Sequence, residues 1–176
     1  MKKISTLILF AIFLTLILTG CGNEAGVPDG MKALESSDEL AYNLYIPESW
    51  TQDLSTGAVS AYSGKDDMAN ISMTTYEIEE AGKALSVICD EYVEKLKETV
   101  GEFEYCEGSP SNITFGNTPA EKIEYNASLT GEQYKLMQIF CAKNGRLYIF
   151  TYTSISDKYD EHKEEVQSMI DNFEFR

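Results

Sequence analysis

The strongest constraint on the fold lies between residues 135 and 153. The runs 135–142 and 146–153 are rich in β-branched and aromatic residues and are separated by Asn144-Gly145. That dipeptide tolerates positive φ at both central positions of a type I′ turn, so the two runs read as a β-hairpin. The second run has no polar side: Leu147, Ile149 and Thr151 fall on one face, and Tyr148, Phe150 and Tyr152 fall on the other. A strand apolar on both faces belongs inside a sheet that is covered on both sides.

Other segments supply the rest of such a sheet. Residues 40–46 alternate and stop at Pro47, 58–62 alternate up to Gly64, and 71–78 are rich in β-branched and aromatic types, which gives three strands. Further strand signals cover 103–106, 113–115 and 120–125, punctuated by Pro110, Gly116 and Pro119. Two segments repeat at the helical period. In 84–100 the residues Leu85, Ile88, Cys89, Tyr92 and Leu96 form an apolar stripe ended by Gly101. Over 157–172 a stripe of Tyr159, Val166, Met169 and Ile170 follows Ser156 as N-cap. The order is three strands, a helix, several strands and a closing helix.

The start of the chain reads as an address. Lys2 and Lys3 precede an apolar stretch over 4–18, short of the roughly 20 residues a spanning helix needs, and Leu18-Thr19-Gly20-Cys21 follows. That tetrapeptide resembles the lipobox of bacterial lipoproteins. The resemblance implies a signal peptide over 1–20 and a diacylglyceryl group on Cys21, with Cys21 the first residue of the mature chain. Residues 21–37, rich in Gly, Ser and acidic types, then read as a lipidated end and flexible tether, and 38–176 as a single domain. The expected location is the extracytoplasmic face of the cell membrane, held by lipid.

Charge narrows the partners. The full chain carries 14 Lys plus Arg against 29 Asp plus Glu, a net −15. Loss of 1–20 removes Lys2 and Lys3 and no acid. A chain this acidic does not neutralise phosphates, so no nucleic-acid partner is expected. The expected partners are the membrane, through the N-terminal lipid, and an envelope protein or small ligand of cationic character.

The segment Tyr45-Ile46-Pro47-Glu48-Ser49-Trp50 resembles the opening of PsbP-like (DcrB-like) domains. The likeness continues through Phe115-Gly116-Asn117-Thr118-Pro119-Ala120, the Asn-Gly hairpin, and the ending Asp171-Asn172-Phe173-Glu174-Phe175. It implies an α+β fold: a three-layer α/β/α sandwich with a mainly antiparallel sheet between helices. Family members mostly bind partners and do not catalyse reactions, and no family site residue is transferred.

Candidate sites are few. The chain's one histidine, His162, sits in Asp160-Glu161-His162-Lys163-Glu164-Glu165, which reads as a solvated helix face. With no nucleophile-elbow, Ser-x-x-Lys or P-loop pattern, no enzyme activity and no cofactor are expected. Asp66, Asp67 and Asn70 concentrate oxygen ligands in a loop and are the candidates for a hard cation such as calcium. Once Cys21 is lipidated, Cys89, Cys106 and Cys141 remain. Cys89 and Cys141 read as buried small hydrophobes, with a Cys106–Cys141 disulfide as the alternative. Two rival functions are a carboxylate-dependent hydrolase of envelope substrates and a small solute- or cation-binding lipoprotein. A Tyr42, Tyr45 and Trp50 surface patch is the alternative to burial of Trp50 at the end of the sheet.

Overall fold

A computed structural model of the chain describes residues 26–34, 41–55, 58–64, 67–80 and 82–176. Cys21 and Asp66, expected to carry the lipid and to ligate a cation, lie outside the described residues.

The sheet is built outward from the expected hairpin. β10 (Glu132–Lys143) and β11 (Arg146–Ile155) pair antiparallel around Asn144-Gly145, both with positive φ. β11 pairs on its other side with β6 (Asp67–Glu77), and the order continues through β5 (Val59–Gly64) to β4 (Thr51–Asp53). Beyond β10 lies β9 (Thr118–Leu129), which pairs along its length first with β8 (Ser111–Phe115) and then with β7 (Gly101–Tyr105). All of these pairings are antiparallel.

Each face of β11 is covered, as its two-sided apolar pattern requires. On one face α1 (Leu85–Lys97) lays Cys89 and Val93 over Ile123, Tyr125, Phe140 and Ile149. On the other, α2 (Lys163–Asp171) lays Val166, Met169 and Ile170 with Trp50 and Ile46 over Ile71, Phe150 and Tyr152. The result is an α+β three-layer sandwich.

Three local expectations are corrected. The closing helix is not continuous: residues Ser156–His162 form a 3-10 segment, and the α-helix begins only at Lys163. Ser156 makes no side-chain cap; the N-cap position of that segment is Ile155. The stretch read as tether contributes β1 (Met31–Ala33), which pairs with β3 (Tyr45–Pro47) and buries Met31 and Leu34. Its Gly-rich flanks masked a three-residue strand too short to show a period. Tyr42, Tyr45 and Trp50 are buried, so they form no surface patch.

The chain end closes the core with aromatics. β12 (Glu174–Phe175) pairs with β2 (Tyr42–Asn43), and Phe173 stacks on Phe115 with ring centroids 3.9 Å apart. The β8–β9 turn tucks beneath these rings because Gly116 has no side chain: a Cβ there would stand 2.8 Å from Phe175 and 2.9 Å from Phe173.

Candidate functional site

His162 does not lie on a solvated helix face. It ends the 3-10 segment at the junction with α2, where the change of helical path turns its ring inward between two carboxylates. Nδ1 is 2.6 Å from Glu165 Oε2, one turn along α2, and Nε2 is 2.6 Å from Asp67 Oδ2 at the start of β6. Trp50 donates its indole N–H to the same Glu165 oxygen at 3.0 Å, and its ring meets the His162 ring edge-on at 5.5 Å. The two carboxylates are therefore set by elements far apart in sequence, with Trp50 packed behind them.

An imidazole with an acceptor at each nitrogen satisfies both only when it is protonated. Burial by itself would lower the His162 pKa. The hydrogen bonds and charges of Glu165 and Asp67 outweigh that and hold it above the ordinary imidazole value. Burial likewise acts to raise Asp67, but the His162 hydrogen bond, the Ala69 N–H, and the charges of His162 and Lys158 leave its carboxyl below the usual range. The unit is a charged clamp that fastens the start of β6 to α2.

Of the expected oxygen ligands, Asp67 enters this clamp. Asn70 stands three residues along β6, opposite Tyr62 and Thr153, and a register shift in the β5–β6 ladder separates it from Asp67. Asp67, Glu161 and His162 bring ligand atoms within 4.8 Å of one another. A metal there would have to displace the proton that Nε2 shares with Asp67.

The thiols offer no nucleophile. Burial pushes Cys89 and Cys141 up to about 12 and about 11, and it raises Cys106 as well, so all three are neutral thiols near pH 7. Cys89 and Cys141 are buried, as their stripes required. The Cys106–Cys141 bridge is not formed, and all three are free. Along β9, Cys141 stands opposite Ala120 while Cys106 bonds to the Glu124 carbonyl. Four residues of strand separate those positions, about 13 Å, well beyond disulfide reach.

Local sequence places His162 in solvent, and the structure places it between two carboxylates. Its neighbours are charged, and its partners lie 95 residues upstream at Asp67 and three residues on at Glu165. The i,i+3 spacing to Glu165 was the available signal, and it did not show which way that face points.

The DcrB family model matches residues 43–172, a span that takes in β3 to α2 and every member of the clamp. The chain belongs to the DcrB family. No curated protein matches this DcrB-family chain. Among solved structures it is similar to the cyanobacterial PsbP protein (CyanoP) of Synechocystis sp. PCC 6803, with 14% identity, 90% of this chain and 99% of that chain covered, and a TM-score of 0.60. It is also similar to PA94 of Pseudomonas aeruginosa, a protein of unknown function described as a putative regulator, with 16% identity, coverage of 78% and 92%, and a TM-score of 0.50. At these identities the likeness shows the PsbP-like fold. No helix among the described residues is long and apolar enough to cross a membrane.

Proposed function

We propose that this DcrB-family chain is a lipid-anchored binding or accessory module on the extracytoplasmic face of the cell membrane, held through Cys21, and not an enzyme. The observation that carries the binding reading is the state of His162. The chain's one histidine has both ring nitrogens committed to carboxylates and its ring in a T-shaped contact with Trp50, so it serves as a structural clamp and not as a free base. The neutral thiols agree with this. The anchor rests on Leu18-Thr19-Gly20-Cys21 behind a short apolar stretch.

Two measurements test it. Metabolic labelling with a fatty acid marks the intact chain and not a Cys21→Ala variant, which leaves the membrane fraction; label retained by Cys21→Ala refutes the anchor. Photo-cross-linking from surface positions in cells identifies one reproducible envelope protein. Release of soluble products from purified cell-wall material, abolished by a single Glu→Gln change, would refute the binding reading and establish the hydrolase.

A further inference from the structure

At the far end of β6 from the clamp, a groove of about 220 Å³ opens between α1 and the β10–β11 turn. Its apolar surface comes from Ile78, Ile88 and Leu147, and its acids are Glu77, Glu79, Glu80 and Glu91. Lys83 is committed to two of these, at 2.7 Å from Glu91 and 3.6 Å from Glu80. Glu77 and Glu79 have no ion pair among the described residues, although Arg146 stands opposite Glu77 in the ladder. Lys95 is the other base of the lining, so the groove has a net charge of −2 from four acids and two lysines. Tyr76, opposite the lining residue Leu147 in the ladder, and Val87, beside Ile88 on α1, are 51% and 44% exposed.

Size and charge select the occupant. A drug-sized solute needs a pocket of roughly 300–1,000 Å³ that buries most of its surface, whereas this groove is smaller and open. Its volume suits one or two side chains of a polypeptide. A bare cation would gain nothing from the apolar floor. A second copy of this chain, itself at −15, would be repelled. A basic segment is instead drawn in by the field of the whole domain and fixed by the acids at the rim.

Resting on the reading of the protein as a binding module, we infer that the groove between α1 and the end of β6 is a docking surface for a basic polypeptide segment. One aliphatic side chain of that segment seats on Ile78, Ile88 and Leu147, and a flanking Lys or Arg meets Glu77 and Glu79.

The test uses the full chain in neutral-lipid nanodiscs and a fluorescein-labelled nonapeptide with a central Leu between two Lys-Arg pairs, read by fluorescence anisotropy against empty discs. Glu77→Lys with Glu79→Lys weakens binding about tenfold or more. The charge-matched pair Glu107→Lys with Glu132→Lys, away from the groove, changes it by less than about twofold. Replacing the peptide's Leu by Gly, or its bases by Gln, removes most of the binding. Unchanged Trp50 fluorescence shows that each variant is folded. Equal losses from the two charge reversals would mean diffuse attraction only and would overturn the groove. So would undiminished binding of the Leu-less or uncharged peptide, or no binding at all. A partner cross-linked in cells to another face would also end this inference while leaving the module reading in place. Failure of that reading is seen separately, in lipid labelling and in wall-product release.

Discussion

Replacing His162 by Gln keeps a hydrogen-bond donor and removes the cation, which isolates the charge of the clamp. A hydrogen bond to a charged group contributes on the order of 1.5–3 kcal/mol net. Two such bonds converge on one ring whose side chain is 19% exposed, and Glu165 keeps its Trp50 partner after the change. Screening and the retained partner place the loss for His162→Gln near 2 kcal/mol. Its pH dependence has a definite sign. The folded-state pKa of His162 is raised above 6.5, so its contribution is fully present below that value and is lost as pH rises through the folded pKa. Asp67 is depressed below 3.8, so its contribution is present above that value and is lost as pH falls through its folded pKa. The difference between wild type and His162→Gln is therefore largest between those two values and shrinks at alkaline pH. Urea unfolding followed through Trp50, the chain's one tryptophan and 1% exposed, reads it directly. At pH 5.5 the variant's midpoint falls by about 1 M urea, and at pH 9 the gap at least halves. Equal midpoints at pH 5.5, or a gap that widens with pH, would refute the clamp.

Three further changes probe the surrounding fold. Gly116→Ala forces an alanine to φ +53 and its Cβ to 2.8 Å from Phe175, so it costs about 2–4 kcal/mol; a thermal shift below about 2 °C would show that the aromatic end yields easily. Met31→Ala removes a side chain that is 8% exposed and accepts contacts from Ser168 and Asn172, and it costs about 2 kcal/mol; no change in the urea midpoint would return residues 31–34 to the tether. Among the described thiols, Cys106 reacts first with a thiol reagent in the native state, and Cys89 and Cys141 react only with unfolding; labelling of all three at one rate would contradict their burial.

The legible parts of the chain were those in which one short segment carries its own evidence. Asn144-Gly145 fixed the hairpin by turn chemistry, and the two-sided pattern of β11 required both covering layers. The stripe from Leu85 to Leu96 gave α1 within a few residues. What stayed hidden depends on partners distant in sequence. β1, β4 and β12 have two or three residues each, too few for any period, and exist because neighbours pair with them. The break at His162 is a tertiary outcome, since Asp67 and Trp50 draw the ring inward where local charge predicts solvent. Asp67 was recognised as an oxygen ligand, but its partner is an imidazolium from the closing helix.

The clamp and the groove share a strand, and that fixes whether they communicate. Asp67 is the first residue of β6 and Glu77 the last, so the 11-residue strand holds the two features about 33 Å apart. Between them β6 is bonded to β5 from Asp67 to Met73 and to β11 from Asn70 to Glu77, with Ile71 and Met73 buried where the two ladders overlap. Coupling across that distance needs an element with two discrete arrangements, and a strand fixed in the sheet at its buried centre supplies none. Substitutions separated this far add independently, usually within about 0.5 kcal/mol. His162→Gln should therefore lower stability while leaving affinity for the basic nonapeptide unchanged within about twofold, and Glu77→Lys with Glu79→Lys should do the reverse. The combined variant should show both effects at full size. A loss of peptide affinity in His162→Gln, measured at a urea-free pH where Trp50 fluorescence remains native, would mean that the sheet transmits the state of the clamp to the groove.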